Sequence, residues 1–149
     1  MSRKNGPPPT DVGRFNNNLE KMFQDLEKAY PDDRDLPYYR DKISLARRAN
    51  AKMIVEEFMK ASEPYIEHIM AKNDRFFLEL DVSGEGLIED NNYLQLVHKI
   101  RTLWINMSSS SQKNIWKYFQ IFITLGIRAM KRRDLLPILN KYRSTPLVF

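Results

Sequence analysis

Residues 113–128 read KNIWKYFQIFITLGIR, and this stretch decides the fold. Ile115, Trp116, Tyr118, Phe119, Ile121, Phe122, Ile123, Leu125 and Ile127, followed by Ala129 and Met130, place apolar groups on nearly every side of a helix. A helix that is apolar all round must be buried, either in a bundle or in an assembly interface. Its β-branched residues lower the intrinsic helix propensity, so a buried strand over 121–125 competes. The run is too long for one strand and holds no internal turn signal, which favours the helix. Gly126 is small enough to let a neighbouring helix come close. In the four serines at 108–111, Ser109 followed by Gln112 fits a capping box for its start.

Working outward, the chain divides into a Pro-containing arm (1–14), a helical domain (15–142) and an apolar tail (143–149). Leu19, Met22, Phe23 and Leu26 recur at helical spacing and predict a first helix over 15–29, capped by an asparagine at 16–18 and stopped by Pro31. A second helix has Pro37 just inside its start and runs to Ala61, with Ile43, Ala46, Ala49 or Asn50, Met53, Ile54 and Phe58 inward. Ser62 caps a third helix lined by Tyr65, Ile69, Met70, Phe76, Phe77 and Leu80, jointed at Asn73-Asp74. Tyr93, Val97, Ile100 and Trp104 mark a fourth. Asp134 caps a short last helix holding Pro137, Ile138 and Leu139, and Leu147, Val148 and Phe149 dock on the core or on a partner. The expectation is an all-α fold, an irregular bundle of five to six helices around one central apolar helix.

The 149 residues include no cysteine, which excludes disulfides, zinc–thiolate sites and thiol nucleophiles and suits a reducing, intracellular setting. Nothing at the N-terminal end resembles a signal peptide, and no apolar run is long enough to span a bilayer. The net charge of +5 is unevenly spread. Residues 1–92 hold 14 basic and 18 acidic side chains; residues 93–149 hold 10 basic ones and a single acid, Asp134. Either the two parts neutralise each other within the fold, or they serve self-complementary assembly, or one face meets an anionic partner.

Two local patterns carry chemistry. Residues 81–92, DVSGEGLIEDNN, have the spacing of a calcium loop. Asp81, Ser83 and Glu85 supply oxygens at positions 1, 3 and 5, Gly86 the turn, Leu87 and Glu89 positions 7 and 9, and Ile88 the aliphatic residue. The stretch resembles an EF-hand, with calcium as the implied ligand. It departs at position 12, where Asn92 replaces the bidentate glutamate, and the alternative is an acidic loop between two helices. The second pattern is the basic cluster Arg128, Lys131, Arg132 and Arg133, suited to nucleic acid through counterion release or to a protein partner; cations at a helix C-terminus also complement its dipole. His68 and His98 stand in no catalytic or metal-ligand spacing, and no nucleophile has an evident base. The chain reads as non-enzymatic.

Asp74-Arg75-Phe76-Phe77, Leu103-Trp104 and Lys113-Asn114-Ile115-Trp116-Lys117-Tyr118-Phe119-Gln120 carry one further resemblance. Across about half the chain, these segments are similar to small helical proteins of large DNA viruses of eukaryotes, the algal and giant viruses. The shared positions are aromatic and structural. The resemblance implies a structural or interaction protein, such as a minor virion or capsid-associated component, found in the virion or the host cytoplasm and acting through protein partners in an assembly.

Overall fold

The computed structural model describes residues 9–79 and 92–149, with the side chains of residues 92–94 outside that description. The fold is all-α, and among the described residues there is no strand. In chain order the helices are α1 (Asp11–Ala29), α2 (Asp35–Ala49), α3 (Ala51–Ser62), α4 (Ile66–Met70), α5 (Asp74–Glu79), α6 (Asn92–Trp104), α7 (Ser109–Ala129) and α8 (Leu136–Asn140). Single 3-10 turns, Glu63–Tyr65 and Arg133–Leu135, lead into α4 and α8.

Helix α7 is the central element. It packs along α1 and against α3 and α4. Ile115, Trp116, Tyr118, Phe122, Ile123, Gly126 and Ile127 are buried, while Lys113, Asn114, Lys117 and Arg128 are exposed. The apolar girdle is therefore covered largely within one chain. The facing stripe of α1, formed by Phe15, Leu19, Met22, Phe23 and Leu26, is buried at the spacing the sequence predicts. Phe15, Phe58 and Phe122 meet at centroid separations of 5.1–5.7 Å and tie α1, α3 and α7 together, in the edge-to-face and tilted geometries that ring quadrupoles favour. A Cβ on Gly126 would collide with the buried Met59 side chain, so glycine here is the close approach of α7 to α3.

Several boundaries differ from the expectation, each for a local reason. Helix α1 begins at Asp11 and not at 15, because the Thr10 hydroxyl accepts from Gly13 N (2.9 Å) and caps it. Asn16 does not cap that helix. It is fully buried and donates to Ala51 O at 3.0 Å. The single helix expected over 37–61 is broken at Asn50, which adopts an extended conformation (φ −160°, ψ 90°) and receives Met53 N on its side chain. The break changes the helical phase, so Met53 is exposed while Val55 and Met59 are buried. Ser62 makes no cap: its hydroxyl donates back to Phe58 O at 2.7 Å. Helix α7 is capped by Ser108, not Ser109, through Ser111 N, and Gln112 donates to Trp104 O instead of closing a capping box. Asp134 lies inside a 3-10 turn and binds Arg132. The joint at Asn73-Asp74 is present, with Asn73 Oδ1 accepting from Phe76 N at 3.0 Å to start α5.

Candidate functional site: an aromatic-lined pocket, a basic helix end and an anchored tail

The segments 74–77, 103–104 and 113–120 converge in space. Phe77 stands 5.3 Å from Trp104 and 5.9 Å from Trp116, and the two indoles lie 5.9 Å apart, all edge to face. Asp74, in the first turn of α5, accepts from Trp116 Nε1 at 2.6 Å, and Gln120 donates to Met70 O at 3.0 Å. These contacts clamp α4 and α5 onto α7.

Beside this cluster is a pocket of about 120 Å³ between α1, α3, α4, α5, α6 and α7. Phe15, Met22, Phe77, Ile100, Trp116 and Phe122, all buried, line its interior. Exposed Ala61 and half-buried Tyr65, Phe76 and Val97 also line it, on the solvent side. Among the described residues no charged side chain lines it. Tyr65 lies 5.2 Å from Phe76, and Phe76 also stacks against His68 at 3.9 Å. The sequence does not reveal this pocket, because its described walls come from six helices and a 3-10 turn, and most wall residues read as ordinary apolar positions of their own elements.

The four cations of the basic cluster have separate fates. Helix α7 closes with Lys131 in the left-handed region (φ 54°), with Lys131 N donating to Arg128 O and Arg132 N to Ile127 O. Lys72 does the same after α4 (φ 56°). Arg128 pairs with Asp11 at 3.3 Å. Arg132 grips Asp134 through two nitrogens, at 3.0 and 2.8 Å, and Glu63 through the third at 2.8 Å. The bonds to Asp134, then that to Glu63, push the guanidinium above its ordinary range, and the same contact draws the Asp134 carboxyl down. Arg133 donates to Phe149 O at 2.8 Å and lies over the Phe149 ring. Lys131 is exposed. Elsewhere Lys99 binds Asp33 and Asp35, and Lys141 binds Glu67. The uneven charge of the sequence is thus spent in part within the molecule, basic second part against acidic first part.

The tail is anchored. Asn140, the last residue of α8, exchanges two hydrogen bonds with Leu147, accepting from its N at 2.8 Å and donating to its O at 3.0 Å. Leu147 is buried, whereas Val148 is 79% and Phe149 40% exposed.

Residues 81–91 of the calcium-loop reading and the side chain of Asn92 lie outside the described residues. Among the described residues no group of three or more His, Asp or Glu is placed to hold a metal ion, and no helix is long and apolar enough to cross a membrane. Of the two histidines, His68 stacks on Phe76 and meets Asn73 Nδ2 through Nδ1 at 3.1 Å, and His98 is exposed on α6. Comparison with models of known protein families, with characterised proteins and with solved structures finds no match to this chain.

Proposed function

We propose that this all-α chain is a non-enzymatic interaction protein that works as a component of an assembly. In the setting its aromatic segments suggest, that assembly is the particle of a large DNA virus. The observation that carries the reading is the tail. Two consecutive apolar side chains, Val148 and Phe149, are held outward by a segment fixed through Leu147, Asn140 and Arg133. Scattered single apolar residues on a surface need no explanation, but a pre-ordered apolar pair flanked by a cation has the composition of an interface anchor and carries little ordering cost on binding.

A photoreactive residue at position 148 tests the reading in the native assembly. Crosslinks to a defined partner protein, lost in Phe149→Asp, support it. A protein recovered as a free monomer that crosslinks to nothing, but is retained by DNA in a salt-dependent way or releases heat with calcium, would replace it with one of the other two functions the sequence suggests.

A further inference from the structure

We propose that the pocket between α1, α3, α4, α5, α6 and α7 is a binding site for a small neutral apolar molecule, of the size of one aromatic ring or a short alkyl chain. Protein interiors are packed to crystal density and hold few voids larger than a water molecule, so an apolar space of about 120 Å³ among the described residues is unusual room, large enough for a small guest. Water is a poor one. A buried water needs two to four polar partners, and the wall offers almost none. The Trp116 N–H is committed to Asp74 and the Ser62 hydroxyl proton to Phe58 O. A charged ligand is disfavoured by the cost of stripping its water against a wall whose described residues carry no charge.

Size and shape set the class. An apolar cavity of about 150 Å³ is known to take up benzene, and this one is slightly smaller. Its interior is rich in rings, among them Phe15, Phe77, Trp116 and Phe122, which meet a flat aromatic guest edge to face or offset. Ala61, exposed and small, stands among the wall residues, so the space is not sealed by bulky side chains on every side. The site owes nothing to the tail, so this proposal and the assembly role stand or fall separately.

The test is thermal unfolding of the full chain with toluene, indole, 1-hexanol and, as the charged counterpart, benzoate. The neutral probes should raise Tm by about 3–6 °C at tenfold excess over Kd, and benzoate should not. Saturable quenching of tryptophan fluorescence by bromobenzene should accompany the shift, because Trp116 lines the space. Ile100→Phe is designed to fill the pocket from its buried side, and Val97→Phe to fill it from a half-buried position. Either variant, once its native helicity is verified, should lose both responses. The proposal is overturned if no neutral probe shifts Tm, if benzoate acts as well as toluene, or if the response survives in a folded filled variant.

Discussion

The Tyr118 hydroxyl donates to Asp25 Oδ2 at 2.5 Å, joining the middle of α7 to α1 across 93 positions of sequence. Burial, and then the carboxylate that accepts its proton, push the phenol well above the ordinary tyrosine range. A hydrogen bond to a charged group contributes more than a neutral one, so Tyr118→Phe should cost about 1–3 kcal/mol in denaturant unfolding. The sign with pH follows. The folded pKa is raised, so the contribution is complete below the unfolded value near 10 and is lost as pH rises beyond it. Wild type should lose stability above about pH 10 more steeply than Y118F, and the Tyr118 phenolate should appear only as the fold opens.

Asp33 and Lys99 form a second remote link, at 2.6 Å, with both side chains largely covered. Partial burial raises the Asp33 carboxyl, but Lys99 and the backbone N–H groups of Asp35 and Leu36 outweigh it, and the net shift is downward. That carboxylate caps α2 and ties it to α6. Asp33→Asn should lose about 1–2 kcal/mol at neutral pH. Because the folded pKa is lowered, the gap between wild type and variant should be constant above the ordinary value of 3.8 and close as pH falls through the folded value. Urea midpoints measured from pH 2 to 7 would show this, and a gap that persists at the acid end would contradict it.

Gly126→Ala improves helix propensity by about 1 kcal/mol yet should destabilise the protein. The added methyl must displace Met59, which is itself buried. Overpacking of this kind costs about 1–3 kcal/mol, so a net loss of about 1 kcal/mol is expected. Met59→Ala should relieve the clash, and a double-mutant cycle should give a favourable coupling between the two changes.

Lys72 and Lys131 each hold a left-handed backbone conformation at the end of a helix. That conformation costs a side-chain-bearing residue about 1–2 kcal/mol and a glycine almost nothing. Lys72→Gly and Lys131→Gly should each raise Tm by about 2–4 °C. The Lys131 variant also removes one of the exposed cations of the basic helix end, beside Arg128 and Arg133, so weaker salt-dependent retention of DNA in it would point to nucleic-acid contact through Lys131.

The sequence made the large elements legible where one periodicity dominated. The stripe Leu19, Met22, Phe23 and Leu26 has a single helical reading, and the girdle of α7 excludes an exposed position. Boundaries failed where polar residues compete for one role. Asn50 sits inside a charged, helix-compatible run, and nothing in its neighbours marks it as a cap in preference to an interior residue. Four serines in a row offer several caps, and the side chain that would close the box on Ser109, Gln112, donates to Trp104 O eight residues back. Thr10 was hidden behind the three prolines and Gly13. At the candidate site, the tail was legible as apolar but not its anchoring, which needs Asn140 seven residues earlier. The sign asymmetry of the charge was plain, but the pairings Arg128–Asp11 and Arg132–Glu63 were not, because they join residues far apart in sequence.

The packing of α7 along α1 also has a consequence in time. A ribosome adds about 5–20 residues per second, so α1, finished at Ala29, waits roughly 5–20 s before Ala129 completes its main neighbour. Throughout that interval Phe15, Leu19, Met22, Phe23 and Leu26 lack the part of their cover that α7 supplies, although α2 and α3 are made earlier. The nascent chain is therefore a natural client for chaperones that shelter apolar helices, and a truncation that removes α7 should yield a sticky, aggregation-prone fragment rather than a smaller stable domain.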